Sequence, residues 1–183
     1  EIKARGVEEI LFISLDGLSG LSEAIEKIYP KAKTQRCIVH IVRNIYGILD
    51  KKKSKEIIGD LKKIYTASNG NNAKLEYENF IEKYKSNEKL IKKLNSVIEH
   101  IFNIFEYPVE IRKIIYTTNP IESLNSSLRK VTRGKGSFIS KEALLKVLYL
   151  RIKDLEKSWS KRTKNWDNVK HQLIELYGER VLK

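Results

Sequence analysis

The pattern of apolar and polar positions near the start of the chain predicts a strand followed by a helix. Residues 10–15 form an apolar block rich in strand-forming side chains, and Asp16 and Gly17 follow it directly. A buried strand ending in a turn is therefore expected there. Apolar residues then recur at helical spacing between Ser22, the predicted N-cap, and Pro30, which stops the helix.

A second short strand is predicted at 33–36, which completes the order strand, helix, strand. This order and spacing indicate a βαβ unit whose two strands run parallel. In open sheets of this kind, binding and catalytic groups gather outside the carboxyl ends of the strands. We therefore expect Asp16, directly after the first strand, to be a functional carboxylate.

From residue 38 onwards the pattern becomes helical, and no strand is needed to explain it. The predicted apolar stripes are Ile57, Leu61 and Ile64, then Leu75, Phe80 and Tyr84, then Leu90, Leu94, Val97, Ile101 and Phe105. The turn-forming segment 67–72 separates two of these helices, and Pro108 ends the region. Further helices are predicted at 120–131, 141–157 and 165–176. The whole pattern predicts a predominantly helical α/β chain.

Cysteine content and hydropathy narrow the class of protein. Cys37 is the one cysteine, so an internal disulfide is excluded, and no signal segment or long apolar run opens the chain. These features predict a cytoplasmic protein with no membrane span. The sequence contains no methionine and starts in what resembles the end of a helix, so we interpret it as a fragment of a longer polypeptide.

The charge balance points to a polyanionic partner. The chain has 36 Lys and Arg residues and 23 Asp and Glu residues, which gives a formal net charge of +13. Nucleic acid is the simplest partner for such an excess. The alternative is a Lys-rich, Ile-rich and Asn-rich composition inherited from an AT-rich genome.

Glu122 is a candidate catalytic residue that also has a structural explanation. Asn119 at the N-cap and Pro120 at the first position predict a helix start, which puts Glu122 at the third position. A glutamate there can bond back to the cap and gains from the helix dipole. Glu122 also lies on a polar face of this helix that suits a site for a metal ion and a phosphate. The face includes Asn125, Ser126 and Arg129, and it adjoins an apolar stripe of Ile121, Leu124, Leu128 and Val131.

Cys37 and His40 have the spacing of half a metal site. Zinc needs about four ligands, and His100 and His171 are the remaining histidines, without paired ligands nearby. A structural role for Cys37 and His40 is favoured over a zinc site. A nucleophilic Cys37 with His40 as its base lacks any supporting context.

A basic loop follows the Glu122 helix directly. Its cations are Arg129, Lys130, Arg133 and Lys135, and its glycines are Gly134 and Gly136. Such a loop can follow a phosphate backbone, since the glycines let backbone N–H groups approach and the cations displace counterions. It lacks the full phosphate-loop pattern of a nucleotide site. We predict DNA contact here, and the alternative is a solvated loop.

Five motifs occur in an order that resembles the mutator-type transposases of bacterial insertion sequences. They are DGLSGL at 16–21, CIVHIVRN at 37–44, YPVEIRK at 107–113, YTTNPIESLN at 116–125 and RKVT at 129–132. Each motif alone is weak, but the set in register over nearly the whole chain is specific.

The resemblance implies a ribonuclease-H-like catalytic domain with a DDE triad that holds two Mg²⁺ or Mn²⁺ ions and cuts and joins DNA. Asp16 matches the second aspartate and Glu122 the glutamate, so each is expected to be catalytic and to bind metal. Cys37 and His40 match the C-x-x-H signature of the family, while Asn119 and Asn125 fall in its TNxIESLN motif. The implied partners are transposon ends and target DNA, and the intact enzyme is expected to form a homo-oligomer associated with the nucleoid.

The resemblance also divides the chain into three segments. Residues 1–44 would be a partial ribonuclease-H-like core of parallel strands plus helices, 45–107 an all-helical insertion, and 108–183 the C-terminal helical part of the core. The family's first aspartate lies before the first residue of this sequence, so we expect the fragment to be inactive alone. A family tryptophan before Tyr107 is also absent, and Pro120 replaces a more usual alanine.

A different class of function competes with this one. The chain could be a non-catalytic basic helical module that binds DNA or a protein partner. Glu122 would then serve only as a cap, and Asp16 only as a turn residue.

Overall fold

The computed structural model describes residues 1–17, 20–116, 120–159 and 165–182, without the side chains of 120, 158 and 159. The chain divides into two compact units, one formed by Glu1–Tyr116 with His171–Lys183 and the other by Thr117–Lys170. Helix predominates, as predicted. Within the described ranges, no helix is long and apolar enough to span a membrane.

Two parallel strands form the sheet of the first unit. Strand β1 covers Phe12–Leu15, and β2 covers Lys33–Arg36, with helix α1 at Leu21–Ile28 between them. Phe12 pairs with Lys33 at one end of the register and Leu15 with Arg36 at the other. The predicted order of strand, helix and parallel strand is therefore confirmed. A ribonuclease-H-like core would need more strands than this pair.

The start of α1 differs from the prediction. The N-cap is Gly20, at φ +79°, and no side chain caps the helix, so the prediction that Ser22 is the N-cap was wrong. Gly20 adopts this left-handed conformation readily because it lacks a Cβ, and its carbonyl accepts the first helical hydrogen bond from Ala24. The helix therefore begins before Ser22, which lies in its first turn. It ends at Ile28, two residues before Pro30.

Successive helices build the core of the first unit. They are α2 at Ile38–Tyr46, α3 at Lys51–Tyr65, α4 at Gly70–Tyr84, α5 at Glu88–Asn95, α6 at Ile98–Phe102 and α7 at Val109–Tyr116. Their fully buried side chains include Ile41, Ile45, Leu61, Ile64, Phe80, Leu90, Leu94, Ile101 and Ile111. Most members of the predicted apolar stripes are therefore in this core.

Leu75 is an exception, since it was predicted to be in the stripe of α4 and is 55% exposed. Helix α4 buries Ala73 and Phe80 instead, which are seven residues apart on one face. The small side chain of Ala73 lets α4 pack closely against α3. A stripe chosen by residue size alone misses such a position.

Two further helix boundaries differ from the prediction. The predicted turn at 67–72 is shorter, because α4 begins at Gly70 and the Asn69 side chain caps it by accepting a hydrogen bond from the Asn72 N–H at 2.9 Å. Helix α7 was not predicted separately, although Pro108 starts it by accepting from the Arg112 N–H. The start of α4 was placed too late because its first residues are weak helix formers. Helix α7 was missed because the proline before it was interpreted as the end of a helical region.

Arg112 joins α7 to the connection between α3 and α4. Its buried guanidinium donates to the carbonyl oxygens of Ala67 at 2.9 Å and Ser68 at 2.8 Å. The same group lies 4.8 Å from the ring centroid of Phe105. These two carbonyl groups lie in the short connection between α3 and α4, and Arg112 supplies hydrogen-bond donors to them from a distant element.

The second unit contains α8 at Pro120–Thr132 and α9 at Lys141–Trp159, which pack against each other, and the start of α10 at Trp166–Tyr177. The predicted helices at 120–131, 141–157 and 165–176 are thus confirmed to within two residues. Of the predicted α8 stripe, Leu124, Leu128 and Val131 are half-buried, whereas Ile121 is 64% exposed. The buried strip of α8 is therefore narrower than the predicted stripe.

Charged groups join α3 to α4 in the first unit. The Asp60 carboxylate accepts hydrogen bonds from Lys63 at 2.8 Å, Lys83 at 2.7 Å and the Tyr84 hydroxyl at 2.8 Å. Lys83 also pairs with Glu56 at 2.7 Å. The bonds from Lys63 and Lys83 hold the pKa of Asp60 well below its usual range.

We expect this network to make the stability of the chain depend on pH. Because the pKa of Asp60 is lower in the folded state than in the unfolded state, its contribution is present above the ordinary aspartate pKa of about 4 and is lost as the pH falls below it. Replacing Asp60 with Asn should cost about 1 kcal/mol at pH 7 and progressively less towards pH 3. Urea unfolding of both proteins at several pH values measures this, and an equal cost at pH 7 and pH 3 would contradict it.

Candidate functional site

The carboxyl edge of the strand pair carries the candidate site of the first unit. Asp16 follows β1 directly, and its side chain is exposed. Arg36 is the last residue of β2, and the N–H of Cys37, the next residue, donates to the carbonyl oxygen of Leu15. This hydrogen bond continues the ladder past the end of β2, so parallel pairing brings Asp16, Arg36 and Cys37 to one edge.

Arg36 covers the turn that follows Asp16. A Cβ placed on Gly17 would lie 2.9 Å from the Arg36 Nε and 3.1 Å from its Cζ, so the guanidinium packs directly on the Gly17 backbone. Gly17 has φ +90°, a conformation that side-chain-bearing residues rarely adopt. The Arg36 Nε is buried and has no hydrogen-bond partner among the described residues. A cation thus lies on the turn that directly follows the candidate catalytic residue Asp16.

Arg36 was not predicted as a functional residue. The available signal was the same rule that selected Asp16, because β2 is parallel to β1 and also ends at the carboxyl edge. Applied to both strands, the rule would have identified Asp16 and Arg36 together.

Residues from α6 support this edge. The buried Gln35 side chain donates to the carbonyl oxygen of His100 at 2.7 Å and to that of Arg36 at 2.9 Å. Burial lowers the pKa of His100, and the positive charge of Arg36 lowers it further. His100 is therefore favoured in its neutral form, so Arg36 is the permanent cation of the edge.

Cys37 and His40 lie at the start of α2. Cys37 is buried at the N-cap position, where its carbonyl oxygen accepts from the Ile41 N–H, and His40 is half-buried in the first turn. In the part of the chain that the structure describes, no three histidine, cysteine, aspartate or glutamate side chains form a group that could hold a metal ion. The structural role predicted for this pair stays a prediction.

Glu122 lies in the first turn of α8, in the second unit. The helix begins at Pro120, so Glu122 is at the third helical position, and its side chain is half-buried. Asn125, Ser126 and Arg129 share its face by helical spacing, and all three are exposed. Asn119, the predicted N-cap, lies outside the described residues, as do Leu18, Ser19, Thr117 and Thr118 of the same motifs.

The four predicted DNA-binding cations lie together at the end of α8. Arg129 and Lys130 are in its last turn, Arg133 and Lys135 follow it, and all four side chains are exposed. The Lys135 ammonium group lies 5.7 Å from the Phe138 ring centroid. A Cβ on Gly134 or Gly136 would meet nothing within 4 Å, which leaves open space beside the backbone.

Comparison with known proteins places this arrangement in context. The family model described as "Transposase, Mutator family" matches residues 1–162 of the chain. The match includes β1, β2 and α8, and therefore both candidate carboxylates.

Individual relatives have similar descriptions. A transposase for insertion sequence element ISRM3 from Rhizobium meliloti is 35% identical over 182 residues, which cover 98% of this chain and 46% of the relative. A transposase for insertion sequence element IS905 from Lactococcus lactis is 31% identical over 162 residues, with 88% of this chain and 41% of the relative covered. The chain spans about half the length of the curated relatives it matches.

The packing of Arg36 on Gly17 can be tested with two glycines of nearly equal backbone angle. Gly17 and Gly6 have φ of +90° and +91°, but only Gly17 has a neighbour within 4 Å of an added Cβ. Replacing Gly6 with Ala should cost about 1 kcal/mol from backbone strain alone. The same change at Gly17 should cost more because the Arg36 guanidinium must also move. Equal losses in urea unfolding would show that Arg36 does not pack there.

Proposed function

The chain belongs to the mutator family of transposases, and from this premise we propose that it is part of a catalytic domain that cuts and joins DNA. Water would first break a phosphodiester bond at a transposon end and free a 3′-hydroxyl. This hydroxyl would then attack a phosphodiester of target DNA, so that a new bond to phosphorus forms while the 3′-oxygen of the target strand leaves with a proton. Asp16 and Glu122 would be the acidic residues of this domain. We propose a ribonuclease-H-like core for this domain, with the 45–107 segment as its helical insertion, acting as a homo-oligomer.

The position of Asp16 is the observation that carries the proposal. An exposed carboxylate directly follows β1 at the carboxyl edge of a parallel strand pair, where catalytic groups of open α/β sheets are found. Its neighbour Arg36 packs on Gly17 and is positively charged. A carboxylate and a guanidinium at one edge suit a phosphodiester substrate better than they suit a simple turn.

The donor chemistry of the two carboxylates fits hard divalent metal ions. Magnesium prefers oxygen ligands and is held in enzymes by one or two carboxylates together with substrate phosphate oxygens. Asp16 would hold one ion and Glu122 the other. Two such ions, when bound, activate the attacking oxygen and stabilise the leaving oxygen of an in-line displacement.

The cations have separate roles in this proposal. Arg129, Lys130, Arg133 and Lys135 are exposed at the end of α8 and would bind the DNA backbone, which displaces condensed counterions. Arg36 would contact the phosphate near Asp16, and its planar guanidinium suits paired phosphate oxygens. The neutral state favoured at His100 leaves this task to Arg36.

A non-catalytic basic module remains the second candidate. It is favoured by the position of Glu122 at the third residue of α8, which a capping role alone explains. The two candidates predict different effects of metal on DNA binding.

We expect Mg²⁺ to raise the affinity of the chain for duplex DNA severalfold at constant ionic strength. Magnesium ordinarily competes with a basic protein for phosphates, so an increase requires metal ligands on the protein. Asp16→Asn and Glu122→Gln should each abolish the increase. Fluorescence anisotropy with a labelled duplex, with Mg²⁺ or with a chelator, measures this.

Glu23 provides the matched control for Glu122. It is the third residue of α1, as Glu122 is of α8, so any effect of helix position alone applies to both. Glu23→Gln should leave the metal response unchanged. If the unaltered chain and all three variants respond to Mg²⁺ alike, the catalytic assignment fails and the basic module remains.

A further inference from the structure

A groove between α2 and α5, here called the lysine groove, concentrates positive charge in the first unit. It has a volume of about 540 Å³ and is lined by Asn44, Ile48, Lys89, Lys92, Lys93 and Ser96. None of these lining residues is acidic, and the Asn44 amide can donate neutral hydrogen bonds, whereas the Ser96 hydroxyl donates to the Lys93 carbonyl oxygen at 2.8 Å. Apart from Asn44, the lining residues of the groove belong to the 45–107 segment, for which the proposed function assigns no DNA contact.

The lysines of the groove form one stripe on α5. Lys89, Lys92, Lys93 and Ser96 are spaced by three, four and seven residues from the first, which places them on one face of the helix. The core of α5 is formed by Leu90 and Leu94 on the adjoining face. Burial of these leucines therefore orients the lysine stripe along the edge of the packed surface.

Helix stability explains two of the lysines but not the third. Lys92 and Lys93 are in the last turn of α5, where a cation interacts favourably with the helix dipole. Lys89 is the second residue of the helix, where the dipole disfavours positive charge. Its presence beside Lys92 and Lys93 is better explained by an anionic ligand that contacts all three lysines.

No carboxylate neutralises the stripe. Among the described residues, Lys89, Lys92 and Lys93 have no ion-pair partner, whereas Lys83 on α4 pairs with both Glu56 and Asp60. The lysines of α4 and α5 thus differ in whether a carboxylate neutralises them. Those between α3 and α4 are structural, and those facing α2 keep their charge available.

We propose that the lysine groove binds the phosphate backbone of duplex DNA. Three ammonium groups without an ion-pair partner among the described residues, with the Asn44 amide beside them in an open groove without acidic residues, match a row of phosphate oxygens. The contact would be independent of sequence, since no base-reading geometry is required for it. This inference rests on the proposed function in one respect, that the chain binds DNA.

The test compares two triple variants that remove the same charge. Lys89, Lys92 and Lys93 are changed to Gln in one, and the exposed Lys55, Lys62 and Lys74 of α3 and α4 in the other. Affinity for a labelled duplex is measured by anisotropy over a range of salt concentrations. Each phosphate contact contributes about 0.9 to the slope of log K against log salt, so the groove variant should lose about 2 to 3 from the slope.

The control variant and a charge-preserving variant decide between the outcomes. The slope of the Lys55, Lys62 and Lys74 variant should stay close to that of the unaltered chain, and Lys89, Lys92 and Lys93 changed to Arg should restore it. Equal losses of slope in the two Gln variants would contradict DNA binding by the lysine groove, because net charge alone would then explain them. An unchanged slope in the groove variant would overturn it as well.

The result also separates this inference from the proposed function. If the unaltered chain does not bind duplex DNA, the proposed function fails and the groove fails with it. If the chain binds DNA and the groove variant binds with an unchanged slope, only the groove is wrong. Lys89→Gln alone should weaken binding without lowering the free energy of unfolding, since the helix dipole disfavours a cation there.

Discussion

The parallel pairing of β1 with β2 is the constraint on which the candidate site depends. It brings the ends of both strands to one edge, so Asp16, Arg36 and Cys37 become neighbours although a helix separates them in sequence. A pair of strands is marginally stable alone. Residues from later in the chain therefore support it, through the Gln35 bond to the His100 carbonyl oxygen and the packing of Tyr107 on Phe12 with ring centroids 6.2 Å apart. A shift of one residue in the register would turn every side chain of a strand to the opposite face and separate Arg36 from Gly17.

The excess of positive charge has different roles in different places. Between α3 and α4, Lys63 and Lys83 are bound to Asp60 and join two helices. At the end of α8 and in the lysine groove, the cations are exposed or line open space and are available to phosphate. Net charge alone predicts a polyanionic partner. Whether each lysine is paired with a carboxylate indicates which surface can bind that partner. Glu122 poses the same problem for acids, because its position in α8 suits both a cap and a metal ligand.

Local sequence patterns predicted most of the elements, and the errors have physical causes. The strands and the helices α8 to α10 were predicted because strong apolar patterns and a proline or glycine delimit them. Ser22, Leu75 and Ile121 were placed wrongly since a side chain suited to a cap or a core is used only if the backbone and the neighbouring helix permit it. Helix α7 was missed because Pro108 was taken as an end, although proline is equally suited to the start of a helix.

The sequence by itself determined the order of strand, helix and strand, the helical character of the remainder, the residues that resemble a transposase, and the excess of positive charge. These features follow from local periodicity, turn chemistry and residue types, which require no distant partner. Only the tertiary structure decided that Arg36 packs on the turn after Asp16, that Arg112 binds the connection between α3 and α4, and that Lys89 faces α2 without a carboxylate. Each of these depends on contacts between elements distant in sequence, and the packing of the core sets their geometry.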